Sequence, residues 1–143
     1  MRNFLNAVQL TKVADHTAAG TDPVVSAIVD MAGFAGVVFF TSVGTANAGN
    51  FLTVQQDDVN SAGGMADLLG SKVTSGTTDE DLICEVVRPS KRYLQCTVTR
   101  GASSTCESIW ALRYGASTPQ LTGNSVSGTQ IAELHVSPAE GTA

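Results

Sequence analysis

The feature that most limits what this chain can fold into is a recurrence of short β-branched runs, each cut off by turn residues. Val24–Val29, Gly36–Val43, Phe51–Gln56, Asp81–Arg88, Tyr93–Arg100 and Cys106–Tyr114 are strand-like, and clusters of Gly, Ser, Asn, Asp and Pro separate them. No segment sustains a 3.6-residue apolar period. Six or seven strands at roughly 8 to 12 residue spacing predict an all-β chain, an antiparallel β-sandwich or barrel.

Individual runs carry more detail. Gly36–Val43 is apolar on both faces, which predicts an interior strand covered on both sides. Tyr93–Arg100 alternates, with Leu94, Cys96 and Val98 set against Tyr93, Gln95, Thr97 and Thr99, so one face is buried and the other polar. The turn chemistry of Gly44–Asn50 predicts a hairpin into Phe51–Gln56. Pro89-Ser90-Lys91-Arg92 reads as a hairpin or a sharp corner. Met65–Gly70 is either one helical turn or an irregular loop with two buried leucines. The expected core includes Val38, Phe40, Val86, Leu94, Val98, Trp110 and Leu112. Residues 1–23 are expected as an extended N-terminal arm with one short strand around Ala7 to Leu10, and residues 24–143 as a single sandwich domain with a weak last strand near Gln130–Val136.

A chain of 143 residues fits one domain and buries enough surface to need no metal or disulfide staple. Its formal charge of −5 argues against nucleic-acid binding, which draws its affinity from an excess of cations over phosphates. Only 15% of residues are charged, against about 25% in a typical soluble chain, so the surface suits a protein with partners. The N-terminal residues show no apolar core of a secretory signal. Met31–Gln56 carries no charge, yet Gly33, Gly36, Gly44 and Gly49 with interspersed Asn, Gln and Thr reject a membrane span in favour of two strands and a turn.

Catalytic patterns are weak. His16 and His135 lie far apart in sequence, and Gly123-Asn124-Ser125-Val126-Ser127 lacks the second glycine of a nucleophile elbow. Asp58–Gly63 begins like a calcium loop, but Ala62 and Leu69 stand where ligands belong. Gly64–Lys72 has the composition of a phosphate loop without its spacing. Cys84, Cys96 and Cys106 match no zinc pattern and read as buried thiols, although a one-residue bulge in the Pro89–Arg92 link would set Cys84 opposite Cys96. No enzyme activity, cofactor or metal is expected. The remaining oddity is charge placement: Arg88, Lys91, Arg92, Arg100 and Arg113 are five of the eight cations and fall between residues 88 and 113. They form either a solvated hairpin tip or a patch that docks on an acidic partner.

The stretch Val86-Val87-Arg88-Pro89-Ser90-Lys91-Arg92-Tyr93, with Thr97–Gly101, Ala111–Gly115 and the Ser137–Gly141 ending, resembles small structural proteins of tailed bacteriophages and prophages. The resemblance implies a capsid decoration or cement protein with a jelly-roll-like sandwich, often trimeric, on the outer shell. It further implies the major capsid protein and further copies of the chain as partners. The virion surface would be its location after synthesis in the bacterial cytoplasm, with no membrane or nucleic acid bound. On this view Arg88, Pro89, Lys91, Arg92 and Tyr93 contact the partner, and burial of the uncharged Gly44–Gln56 region accompanies assembly. A head-to-tail adaptor or tail component is the alternative virion role. A carbohydrate-binding sandwich is the alternative outside the virion, although it would need an exposed aromatic platform, and Trp110 is expected in the core.

Overall fold

A computed structural model describes residues 4–117 and Glu140. The expected strand near Gln130–Val136, the Gly123–Ser127 stretch and His135 lie outside the described residues. The chain is an all-β antiparallel sandwich. After a single helical turn, α1 (Phe4–Ala7), the strands are β1 (Val8–Ala14), β2 (Thr17–Gly20), β3 (Val24–Val25), β4 (Val29–Asp30), β5 (Gly36–Ser42) and β6 (Phe51–Asp57). There follow β7 (Ala66–Asp67), β8 (Val73–Thr74), β9 (Asp81–Val87), β10 (Tyr93–Thr99), β11 (Ser104–Cys106) and β12 (Ile109–Tyr114). One sheet has the order β1-β12-β5-β9. The other runs β3-β10-β6-β7, with β4 also on β10 and β8 also on β6, while β11 and β2 form a small third pair.

The core lies between the two larger sheets. Val37 and Phe39 of β5, Leu82 and Cys84 of β9, and Ile109 and Ala111 of β12 meet Leu52 and Val54 of β6 and Leu94, Cys96 and Val98 of β10. Leu94 and Val98 are fully buried as expected, and Val86 packs against this cluster. Val38, Phe40, Trp110 and Leu112 are not in the core: they occupy the opposite face of their strands and are half-buried. A strand that is apolar on both faces does not reveal by alternation which set points inward, and the smaller set, with Ala111 and Thr41, fills the narrow space between the sheets.

Two connections differ from the expectation for the same physical reason. β5 and β6 do not form a hairpin, because they belong to different sheets. The loop between them crosses the sandwich and is held by Gly44 N–H donating to the Thr105 carbonyl (3.0 Å) and by the buried Asn50. Asn50 Nδ2 donates to the Thr45 carbonyl, and its Oδ1 accepts from Gly101 N–H. Likewise Pro89–Arg92 is a corner between sheets, so β9 and β10 are not paired and the register that would set Cys84 opposite Cys96 does not arise: Cys84 faces Phe39 and Cys96 faces Val54.

The short strand expected in the N-terminal segment runs on to Ala14 and pairs with β12 along its length, with a bulge between Lys12 and Ala14. Ser26 divides the Val24–Val29 run into β3 and β4, because its Oγ accepts from Cys96 N–H and its own N–H reaches the Cys96 carbonyl. The Met65–Gly70 stretch is neither helix nor a pair of buried leucines. Leu68 packs on the core, while Leu69 stands fully exposed before Gly70, whose φ of 80° turns the chain.

Candidate interaction surface

The outer faces of the two sheets have opposite character. On the β10–β6 sheet the outward rungs pair Gln95 with Gln55 and Thr97 with Thr53; Thr53, Gln55 and Thr97 are half-buried, and Gln95, 6% exposed, donates to the Ser26 carbonyl. On the β1-β12-β5-β9 sheet the outward rungs are Val8, Tyr114, Gly36 and Val87, then Leu10, Leu112, Val38 and Glu85, then Lys12, Trp110, Phe40 and Ile83. Ile83 and Val87 are each 60% exposed. Gly36 has a local reason to be glycine: a Cβ there would run into the Tyr114 ring, which crosses β5 so that its hydroxyl donates to the Glu85 carboxylate. That bond raises the Tyr114 pKa, with burial as a smaller contribution.

Four of the five expected contact residues, Arg88, Pro89, Lys91 and Arg92, come together at one end of this sheet, whereas Tyr93 opens β10 in the other sheet, paired with Asp30 and Asp57, with Arg92 over its ring. Arg88 N–H donates to the Ala35 carbonyl at 2.7 Å, and its φ of 49° makes it the one non-glycine with positive φ among the described residues. Such a conformation costs of order 1 kcal/mol or more and turns the chain out of the first sheet. The corner borders a hollow of about 410 Å³ whose apolar wall is Met31, Phe34 and Ala35 and whose rim is Arg88 to Arg92.

The cations of the corner differ in how they are satisfied. Arg92 makes a bidentate pair with Asp30, Nε to Oδ1 at 2.9 Å and Nη2 to Oδ2 at 2.8 Å. The hydrogen bond from Arg92 lowers the Asp30 pKa to about 2. Lys91 lies 3.6 Å from Asp58 and 3.9 Å from Asp57. Arg113 donates to the Asp30 carbonyl at 2.6 Å and stacks over Phe34, and desolvation lowers its pKa. Arg88 is exposed and has no ion-pair partner among the described residues.

Arg100 does not belong to the patch. It is 5% exposed at the far end of β10, where Nε donates to the Asp22 carbonyl and Nη1 to the carbonyls of Ala18 and Ser104, each at 2.8 Å. It ties the N-terminal loops to the sandwich. The sequence counted it with the docking cations because position in the chain says nothing about burial.

At the opposite end of the apolar face lies a feature that the sequence did not reveal. Trp110, Phe40 and Ile83 form the floor of a groove of about 250 Å³, and Asp81 and Glu107 stand at its side. Asp81 pairs with Ser42 across the sheet, and Glu107 N–H donates to the Ser42 carbonyl at 2.8 Å, so the two acids flank that residue. His16 Nδ1 lies 3.2 Å from Glu107 Oε2. The signal that could have exposed the groove was the apolar character of both faces of β5 and β12.

The three cysteines are buried, unpaired thiols. Burial raises the pKa of Cys84, Cys96 and Cys106, and for Cys96 the neighbouring Cys84 and Cys106 add to it.

No family model matches the sequence. No curated protein matches it either. Among solved structures, this chain is similar to one from Bacillus endospore appendages, described as a novel family of disulfide-linked pili. The two are 14% identical over 81% of this chain and 97% of that one, with a TM-score of 0.44, a likeness too slight to bear on function.

Proposed function

We propose that this chain is a structural protein of a tailed-phage or prophage virion that decorates or cements the capsid by binding the outer surface of the major capsid protein lattice. The observation that carries the proposal is the apolar outer face of one sheet, which presents Leu10, Val38, Phe40, Ile83, Val87, Trp110 and Leu112, with Ile83 and Val87 each 60% exposed. An apolar sheet face with charge only at its margins is the form of a docking surface. The resemblance of the Val86–Tyr93 and Ala111–Gly115 stretches to phage structural proteins supplies the partner class.

In this arrangement the apolar face lies on the shell and sets how long the protein stays. The Arg88–Arg92 corner at its rim meets an acidic surface and sets orientation and encounter rate. Many copies on a repeating lattice turn modest individual contacts into firm attachment. The experiment is to mix purified protein with capsids that lack it and pellet them. Saturable binding at a fixed copy number per capsid is expected, with Val87→Asp binding at least tenfold more weakly. Absence of pelleted protein at concentrations up to tens of micromolar overturns the proposal.

A second reading, a carbohydrate-binding sandwich, gains from the position of Trp110 on the outer face rather than in the core. Binding of the isolated protein to a glycan array, lost in Trp110→Ala, would favour it over the capsid role.

A further inference from the structure

We infer that the acidic surface met by the Arg88 corner belongs to a second copy of this chain, whose Trp110–Phe40–Ile83 groove with Asp81 and Glu107 receives the Arg88 side chain. This rests on the corner being a partner contact, as proposed above, and names the partner.

The two features lie at opposite ends of one strand. β9 begins at Asp81 and Arg88 follows directly on its last residue, so six strand steps at about 3.3 Å set the two ends about 20 Å apart. Along the same direction the outer face passes from Asp81 and Glu107, through the apolar rungs, to Arg88. The molecule therefore offers an acceptor at one end and a donor at the other, on the margin of the same face.

Glu107 already meets His16 within its own copy, but Asp81 and Arg88 each have no ion-pair partner there among the described residues. Arg92 and Lys91 have Asp30, Asp57 and Asp58 beside them, whereas Arg88 is exposed and has no ion-pair partner among the described residues. The groove, at about 250 Å³, is smaller than the roughly 300–1,000 Å³ of small-molecule sites and suits one protruding side chain. Two carboxylates beside two aromatic rings match a guanidinium, which bonds a carboxylate through its fork and stacks on an indole through its face.

A contact between different patches on two identical molecules leaves every copy with one groove to fill and one Arg88 to place. Both are satisfied only when the assembly closes.

The experiment is sedimentation of the purified chain over a concentration and salt series, with no capsid present. The parent is expected to sediment as a multiple of 14.7 kDa and to dissociate as salt rises. Arg88→Glu and Asp81→Lys should each weaken association at least tenfold. The double variant carrying both should recover it, because the charges are exchanged and not removed. Asp81 and Arg88 are both exposed, and thermal melts of each variant confirm that the fold is kept.

A parent that stays monomeric at tens of micromolar overturns the inference, as does a double variant no better than either single one. Glycan binding in the groove by a monomeric parent overturns it in favour of the carbohydrate reading. Capsid binding by a monomeric chain leaves the decoration role standing while this inference falls. A self-associating chain that ignores capsids does the reverse.

Discussion

Arg92 and Asp30 form a bidentate pair that clamps the corner between the sheets to the end of β4, and the Asp30 backbone carbonyl at the same time accepts a hydrogen bond from Arg113. One aspartate thus anchors two of the cations in the Arg88–Arg113 group. Its folded pKa of about 2 lies below the ordinary 3.8. A carboxylate with a lowered folded pKa stabilises the protein fully above its unfolded value, and that contribution is lost as pH falls through the folded one.

Asp30→Asn should therefore be less stable than the parent at pH 7, and the gap should close as pH falls from about 4 to 2. Both partners are substantially exposed, so the difference at pH 7 should stay within the ~1 kcal/mol of a surface ion pair. Urea unfolding followed by the fluorescence of Trp110, the sole tryptophan, measures it. A stability gap independent of pH would assign the effect to packing instead.

Arg88→Gly separates the structural role of the corner from its binding role. Glycine adopts a φ of 49° without the steric cost an arginine bears, which offsets its greater freedom in the unfolded chain. The variant should melt within about 1 kcal/mol of the parent while self-association falls at least tenfold. A large loss of stability would show that the Arg88 side chain holds the corner together.

The strands and their antiparallel layering were legible because β-branched runs and turn residues act locally. Leu94 and Val98 were placed correctly because Gln95 and Thr97 mark the other face of β10. Trp110 and Phe40 were misplaced because polar residues stand on both faces of β5 and β12, Thr41 and Arg113 inward against Ser42 and Tyr114 outward, and the choice between Phe39 and Phe40 depends on the opposing sheet. The β5–β6 link looked like a hairpin because turn chemistry reports that the chain bends and not which layer it enters. The corner was visible as a cluster of cations, but its division into the paired Arg92, an Arg88 without an ion-pair partner among the described residues and the buried Arg100 depends on contacts with Asp30, Ala18 and Asp22, far away in sequence.

Arg100 gives a test of stability without function. Replacing it by methionine leaves the Asp22, Ala18 and Ser104 carbonyls without their charged donor, and such bonds are worth ~1.5 to 3 kcal/mol each. Arg100→Met should lose on the order of 3 kcal/mol, and Arg100→Lys should lose less because an ammonium still supplies donors. Chemical denaturation at neutral pH measures both, and a loss below about 1 kcal/mol would mean that water replaces the guanidinium at no cost.

The thiols should be inert in the folded protein. Burial disfavours the thiolate of Cys84, Cys96 and Cys106, and the thiolate is the reactive form. A disulfide reagent should label none within minutes under native conditions and all three after denaturation. Rapid native labelling of one cysteine would reveal an opening of the sandwich at that strand.

The central claim is that the apolar face of the β1-β12-β5-β9 sheet is a docking surface on a capsid. An electron-microscopy map of the assembled particle tests it most directly. Density for the sandwich is expected on the outer shell, with Ile83, Val87 and Trp110 against the major capsid protein and the outer face of the β10–β6 sheet turned away from it. A map that places the chain in the tail, or on the shell with Ile83 and Trp110 turned to solvent, would contradict it.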